Sequence, residues 1–209
     1  MNSNKNTKYI LIGGGSHVST LMEIENLDKK KIIGYTDKIK TNLKLKYIGD
    51  DNFFLKKNKL KNIKLIMAIG SNVYLRSLLF NKYKKKGYFF ETLIDKSAIV
   101  SRSSSIGEGS VILKNSIIGS SVKIMENICI HNGSIIEHNS IVKKNSYISP
   151  GCVICGNCII GLNVFLGAKS CLIENINIPN FSIVGAGAVV IKNQKKTNKK
   201  YLGVPAKIL

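Results

Sequence analysis

Two of the three histidines in this 209-residue sequence lie seven positions apart in the segment HNGSIIEHNS, as His131 and His138. Imidazole is the side chain best suited to accept and donate protons near neutral pH, so either residue could act as a general base. Which of them does so depends on the elements that position the two rings.

The histidines lie inside a long repeat. An aliphatic residue recurs at every sixth position from Ile94 to Val190, seventeen times without an exception. The position four residues after each one is mostly small, and the glycine, asparagine and serine in between are typical of turns. A period of six fits neither a helix nor simple strand alternation, and it predicts a solenoid whose flat sides are short strands. Three hexapeptides per coil give a parallel β-helix over residues 91–191, a little more than five coils long.

The cysteines suggest a metal cluster at first, because Cys152, Cys155 and Cys158 are spaced C-x2-C-x2-C. In the repeat, however, Cys152 and Cys158 occupy the position of the small residue, which faces inward, and they lie on two different sides of the coil. No two of the five cysteines are 18 residues apart, which is the spacing of directly stacked positions. The thiolates therefore do not converge as metal ligands must. We expect small core residues, no metal, and a reducing compartment.

The net charge of +20, from 32 Lys+Arg against 12 Asp+Glu, favours an anionic partner. The lysines are scattered apart from short clusters at 84–86 and 195–200, and no basic stripe alternates with aromatic residues. Nucleic acid is therefore disfavoured, while a nucleotide or coenzyme A suits the charge. No run of 18 apolar residues and no secretory signal are present, which predicts a cytoplasmic protein without membrane insertion.

Residues 1–90 predict a small Rossmann-like α/β domain. The segments YILIGGGS, KIIGYTD and IKLIMAIGSN are typical of strands that end at glycine or aspartate, and a helix is predicted over 74–87 with Gly87 as its end. Ligands gather at the carboxyl ends of parallel strands. The residues at those ends are Gly13, Gly14, Ser16, His17, Asp37, Lys38, Gly70, Ser71 and Asn72. A nicotinamide cofactor is an alternative ligand, although Val18 occupies the last glycine position of the dinucleotide motif.

The segments LIGGGSHVST, GYTD, MAIGSN, SIIEHNS and ISPG, with the closing GVPAKIL, resemble the bacterial sugar O- and N-acyltransferases with hexapeptide repeats. This family includes sialic acid O-acetyltransferases and UDP-4-amino-sugar N-acetyltransferases, and the resemblance covers nearly the whole chain. It implies a left-handed β-helix and acetyl-CoA-dependent transfer to an amino group or hydroxyl of a sugar, in surface glycan biosynthesis. It also implies sugar-nucleotide binding by the N-terminal domain, no metal, and a homotrimer with active sites between neighbouring β-helices.

The resemblance assigns the general base to His138, between Glu137 and Asn139. Two positions depart from the family pattern, because Asn139 stands where an acidic residue follows the histidine, and Tyr147 stands where a second histidine contacts substrate. The resemblance also assigns acetyl-CoA contacts along the solenoid. These are Gly156, whose N–H would donate to the acetyl carbonyl, and Ala168 and Ala186, past which the pantetheine arm would run. The tail at Lys192–Lys200 either meets the CoA phosphates or is a solvated loop.

His131 matches no catalytic position of the family, and it is an alternative contact for substrate or CoA. A histidine metal site would need a third imidazole, and His17, in the other domain, is the remaining one. Two other functions stay open. One is O-acetylation of a free sugar such as sialic acid, and the other is a non-catalytic trimeric binding or scaffold protein, which Asn139 and Tyr147 alone favour. An oxidoreductase is disfavoured by the incomplete glycine motif.

Overall fold

The computed structural model describes residues 7–56 and 60–209, which form an N-terminal α/β domain followed by a β-helix. The first domain has a parallel sheet in the strand order β3-β2-β1-β4-β5. Its strands are β1 (Lys8–Ile12), β2 (Ile32–Thr36), β3 (Tyr47–Gly49), β4 (Ile63–Met67) and β5 (Phe89–Phe90). Its helices are α1 (His17–Met22), α2 (Asp51–Lys56), α3 (Val73–Lys85) and a 3-10 turn, Lys29–Lys31. The predicted fold class is confirmed; residues 1–6 and 57–59 of the predicted domain lie outside the described residues.

The central strands follow from their composition. The apolar ends of β1 and β4 are fully buried, as expected for a parallel sheet that is covered on both faces. Helix α3 begins after Asn72, whose Oδ1 accepts a hydrogen bond from the Leu75 N–H at 3.0 Å. It ends at Lys85, just before Gly87 takes a φ of +83°. The predicted helix at 74–87 is therefore shifted by one or two residues.

The β-helix consists of two-residue parallel strands in three stacked sheets. The sheet against the N-terminal domain, here called the domain-facing sheet, contains β6 (Leu93–Ile94), β9 (Val111–Ile112), β12 (Cys129–Ile130), β15 (Tyr147–Ile148), β18 (Phe165–Leu166) and β21 (Ile183–Val184). The second sheet contains β7 (Ile99–Val100), β10 (Ile117–Ile118), β13 (Ile135–Ile136), β16 (Val153–Ile154), β19 (Cys171–Leu172) and β22 (Val189–Val190). The third contains β8 (Ser105–Ile106), β11 (Lys123–Ile124), β14 (Ile141–Val142), β17 (Ile159–Ile160) and β20 (Asn177–Ile178).

The seventeen periodic aliphatic residues all belong to the interior, as predicted. Those from Ile112 to Val190 are buried, and the three in the first coil are partly buried against them. The coil turns after each sheet, and we call these turns the first, second and third corners in the order of the sheets. Fourteen consecutive corners, from Gly109 to Gly187, each have one residue at positive φ, most often asparagine or glycine, the two residues that best tolerate this conformation.

The inward cysteines behave as serines do in the other coils. The thiols of Cys152 and Cys158 donate to the carbonyls of Gly167 and Ile173, each over 3.1 Å and 15 residues along the chain. Serine hydroxyls at the same phase donate to carbonyls at the same spacing: Ser110, Ser116, Ser134, Ser140 and Ser146. The C-x2-C-x2-C spacing therefore belongs to the repeat.

Replacing Cys152 by serine is expected to change the free energy of unfolding by no more than about 1 kcal/mol, because serine makes the same hydrogen bond in the same space. Replacing it by leucine should cost about 1–3 kcal/mol, since the site is completely buried and has no room for a larger side chain. Urea unfolding of the two variants measures both values. Equal losses for serine and leucine would contradict this account of the inward phase.

The C-terminal segment covers the last coil. Strand β23 (Lys200–Leu202) pairs in parallel with β21, and β24 (Lys207–Ile208) pairs with β23 in antiparallel orientation. The Ala206 N–H donates to the Val189 carbonyl on the second sheet. On the third sheet, the Asn177 N–H donates to the Asn193 side chain at 2.6 Å. The predicted tail at 192–209 thus closes the open end of all three sheets.

Among the helices of residues 7–56 and 60–209, no segment combines the length and the apolar character that a membrane crossing requires.

Candidate active site

Most of the residues predicted at the strand ends line one cavity of about 340 Å³ in the N-terminal domain. This cavity, here called the N-terminal pocket, lies between the end of β1, the end of β4 and the start of α3. Its lining includes seven predicted residues: Gly13, Ser16, His17, Asp37, Gly70, Ser71 and Asn72. Gly15, from the same predicted glycine turn, also lines it, and so does Leu75, which was not predicted. Gly14 and Lys38 are not part of the lining.

Asp37 organises the glycine turn beside this pocket. Its Oδ2 accepts a hydrogen bond from the Gly14 N–H and its Oδ1 accepts one from the Lys38 N–H, each over 2.6 Å. A side chain on Gly14 would lie 2.5 Å from the Tyr35 ring, and Gly13 has a φ of +106°, so both positions require glycine. Gly15 has open space around its Cα. The turn is therefore fixed by Gly13, Gly14 and Asp37, and Gly15 leaves the pocket accessible.

His138 lies at the second corner and is exposed. Gly156, one coil further along the same corner, lies against its ring, and a Cβ at Gly156 would be 2.4 Å from the imidazole Cε1. No hydrogen bond among the described residues uses the Gly156 N–H. An imidazole and a free N–H donor thus lie side by side on the surface of the β-helix. Glu137, also exposed, precedes them with its backbone N–H bonded to Ile154.

Asn139 is the turn residue of this corner, with a φ of +58°. Its Nδ2 lies 3.3 Å from His138 Nδ1 and donates to the Asn157 Oδ1 at 3.2 Å. Asn157 occupies the equivalent position one coil along, with a φ of +59°. From the sequence, Asn139 is interpreted as the loss of a carboxylate. In the structure it occupies a turn at positive φ, a conformation in which asparagine is favoured. The Asn139 amide contacts the ring where the family pattern has an acid, and the Asn157 amide is hydrogen-bonded to Asn139 behind it.

The two alanines lie elsewhere on the coil. Ala168 and Ala186 are exposed at the first corner, one coil apart, where the Gly187 N–H donates to the Ala168 carbonyl at 2.8 Å. The first corner follows the domain-facing sheet, whereas His138 and Gly156 are at the second. Within one chain, the predicted path of the pantetheine arm and the predicted base therefore lie at different corners of the β-helix.

His131 and Tyr147 lie at the boundary between the domains. The Tyr147 hydroxyl is 2.6 Å from His131 Nε2, and Tyr147 is only 6% exposed. The His131 ring lies 5.5 Å from the ring of His17, which also lines the N-terminal pocket. Burial, helped by the nearby Arg76 charge, lowers the pKa of both histidines, to about 3 for His17. Burial also raises the pKa of Tyr147. No pattern in the sequence indicates this contact, because it depends on how the domains dock.

Residues 8–83 match the family model of the PglD N-terminal domain. The crystal structure of PerB from Caulobacter crescentus, in complex with CoA and GDP-perosamine, is similar over 97% of both chains, with 27% identity and a TM-score of 0.89. The acetyltransferase domain of PglB from Neisseria gonorrhoeae, in complex with acetyl coenzyme A, is 23% identical over 98% of this chain and all of that one, with a TM-score of 0.87. WeeI from Acinetobacter baumannii is 20% identical over 97% of this chain and all of that one, with a TM-score of 0.80.

These matches, the two-domain fold and the exposed histidine at a β-helix corner define the class of the protein. The match to the PglD N-terminal domain and the similarity to PerB along both domains support the predicted resemblance to the bacterial sugar acyltransferases with hexapeptide repeats. The predicted left-handed β-helix and the assignment as an acyltransferase are confirmed.

Proposed function

We propose that this chain transfers an acetyl group from acetyl-CoA to an amino group of a nucleotide-linked sugar in surface glycan biosynthesis, with His138 as the general base. The observation that carries the proposal is the match along both domains to PerB, which was crystallised with CoA and a nucleotide-linked amino sugar. The N-terminal pocket supplies a place for the nucleotide. Its glycine turn leaves backbone N–H groups near the ends of two parallel strands, where phosphates bind in α/β domains.

The chemistry needs few groups, because the thioester is already activated. The sugar amine attacks the acetyl carbonyl, the C–N bond forms, and the C–S bond then breaks to release CoA. His138 accepts the proton that the amine loses and returns it to the departing sulfur. The Gly156 N–H, beside the imidazole, donates to the oxyanion as it develops.

A base that acts through Nε2 must carry its own proton on Nδ1. The Asn139 amide can present either its NH2 group or its oxygen to the ring. With the oxygen towards the imidazole, it accepts from Nδ1–H, and Asn157 can donate to that same oxygen by turning its own amide. The stacked amides then hold the ring in the orientation and tautomer that leave Nε2 free. This assigns a positioning role to Asn139, in place of the carboxylate of the family pattern.

Replacing Asn139 by glycine should lower turnover about tenfold, because glycine keeps the positive φ and removes the side chain that contacts the ring and Asn157. Asn163→Gly is the matched control, since Asn163 takes the same conformation at the third corner, away from His138. Asn139→Asp should keep turnover and move the acidic limb of the pH–rate profile to higher pH, because a carboxylate stabilises the neighbouring imidazolium. Equal turnover in Asn139→Gly and Asn163→Gly would exclude the positioning role.

The separation of the two corners implies that each active site is shared. One chain offers its N-terminal pocket and first corner, and a neighbour offers His138 and Gly156 at its second corner. Exposed apolar side chains outside the pocket, among them Ile99 and Phe181, provide surface for such packing. In a closed ring of three chains, the N-terminal pocket of each chain can face the second corner of a neighbouring chain.

Light scattering is expected to give three times the chain mass of 23.0 kDa. Mixing inactive His138→Ala with an inactive pocket variant, Asn72→Ala, under conditions that exchange subunits should restore activity. If the two chains assort at random, about a quarter of the shared sites will then combine two intact halves. A stable monomer, or a trimer whose mixture stays inactive, would contradict the shared site.

The function is tested by a screen of UDP-, GDP-, dTDP- and CMP-linked amino sugars with acetyl-CoA, following release of free thiol. The matched hydroxy sugars and free sialic acid serve as acceptors for O-acetylation. We expect turnover with at least one nucleotide-linked amino sugar and none with its hydroxy counterpart. Turnover with hydroxy sugars alone would reassign the reaction to O-acetylation. Binding of acetyl-CoA without turnover on any acceptor would favour the scaffold protein.

A further inference from the structure

Three side chains that commonly bind metals meet where α1 packs on the domain-facing sheet. They are His17 at the start of α1, Cys129 on β12, and His131 just after β12. One ligand atom from each, an imidazole nitrogen or the thiol sulfur, lies within 4.8 Å of the other two. His17 Nε2 is 3.9 Å from Cys129 Sγ. Cys129 is completely buried and His17 is 9% exposed.

We propose that His17, Cys129 and His131 bind one zinc ion that joins the N-terminal domain to the β-helix. Two imidazoles and one thiolate are a ligand set that zinc accepts, with a fourth position left for another oxygen or nitrogen ligand. His17 also lines the N-terminal pocket, which gives the ion a path from solvent. The proposal does not rest on acetyl transfer or on the role of His138.

The spacing of the ligand atoms is close to what zinc requires. Zn–S and Zn–N bonds in a tetrahedral site place a sulfur and a nitrogen about 3.6 Å apart. The observed separation of 3.9 Å between His17 Nε2 and Cys129 Sγ is a few tenths of an ångström longer. Small rotations of two side chains close that difference. The Tyr147 hydroxyl, 2.6 Å from His131 Nε2, fixes the orientation of the second imidazole.

Zinc binds imidazole nitrogen and thiolate sulfur, so the Cys129 thiol proton must leave when the Zn–S bond forms. One proton is therefore released to solvent for each ion bound.

The guanidinium of Arg76 is the charged group that faces this cluster. It is completely buried and is held by the Ile69 carbonyl and by the carbonyl and side chain of Asn127. Its charge opposes a second cation in the same buried region. Zinc therefore depends on the thiolate for charge compensation, and loss of Cys129 should be the most damaging change to the site.

The test uses full-length protein freed of metal with a chelator and titrated with Co²⁺, whose bond to a thiolate gives a strong near-ultraviolet absorption. We expect one Co²⁺ per chain, displaced by one Zn²⁺, and a higher midpoint of thermal unfolding with zinc. Cys129→Ser should abolish the absorption, and His17→Gln should weaken binding by about a hundredfold or more. Cys155→Ser is the matched control, because Cys155 is a partly exposed thiol outside the cluster, and it should bind as the parent does.

Absence of stoichiometric binding would overturn the proposal, and so would a Cys129→Ser variant that keeps the absorption. Cys129 is fully buried, so its variant could fail to fold. In that case His17→Gln, at the edge of the pocket, decides the question alone, and unchanged affinity in that variant would also overturn the site. Metal content and unfolding midpoints are measured without an acceptor sugar, so their outcome is independent of the transferase assay.

Discussion

His138→Ala is expected to lower turnover about 10²–10⁴-fold while leaving the affinity for acetyl-CoA nearly unchanged. This is the range that a positioned general base contributes, and the predicted CoA contacts at Ala168 and Ala186 lie at another corner. The fold should survive, because the imidazole is exposed. The measurement is the turnover number at saturating acetyl-CoA with the true acceptor, together with the dissociation constant of acetyl-CoA.

His131→Ala and Asn132→Ala are the comparisons for this result. Asn132 is exposed and occupies the same phase as His138 at the first corner, so its variant reports what truncating a corner residue costs by itself. His131→Ala should cost less than His138→Ala, since the backbone N–H one coil along from His131, that of Ser149, is bonded to the Leu166 carbonyl. Near-normal turnover in His138→Ala with an inactive His131→Ala would mean that the other histidine of HNGSIIEHNS is the base.

Gly156→Ala should lower turnover about a hundredfold without unfolding the protein. The added Cβ would lie 2.4 Å from the His138 ring, so the imidazole must move away by an ångström or so, and a displacement of that size can cost this much in rate. The Gly156 N–H remains in place. Gly156 is not among the glycines at positive φ, so alanine suits its backbone and should not lower stability.

A double variant distinguishes ring displacement from other effects of the methyl group. If Gly156→Ala acts through His138, it has little further effect once His138 is alanine, and the two losses are strongly non-additive. Circular dichroism and the midpoint of thermal unfolding should match those of the parent protein. Fully additive losses would show that the methyl group obstructs the substrate or the acetyl carbonyl directly.

The β-helix was predictable because its core is encoded locally. One aliphatic residue every six positions places Ile94 and its sixteen successors inside, whatever the rest of the chain does. The N-terminal domain was predicted less completely. The strand Tyr47–Gly49 has only three residues and follows a lysine-rich segment, so its own sequence does not predict a strand. It is a strand because it pairs with β2. The one-turn helix Asp51–Lys56 has too few residues to show a helical period.

The candidate site, like the fold, could be predicted from the sequence only in part. The strand ends that line the N-terminal pocket were predicted from topology alone, since parallel strands bring their carboxyl ends to one edge. Asn139 was interpreted through the family pattern, although asparagine or glycine at most sixth positions from Gly109 to Gly187 already marked it as a turn residue. The contact between His17 and His131 was not predictable, because no periodicity reports how two domains dock.

The closed end of the β-helix has a consequence for how the protein behaves in a crowded solution. A solenoid of identical parallel strands exposes the same unpaired amide edge at its last coil that extends an amyloid fibril, and such an edge can recruit another chain. Here β23 covers that edge on the domain-facing sheet, the backbone of Gly203 and Ala206 covers it on the second, and the Asn193 side chain bonds to it on the third. The last eighteen residues therefore cap the last coil of the β-helix. This cap prevents end-to-end polymerisation, which the unpaired strands of the repeat would otherwise favour.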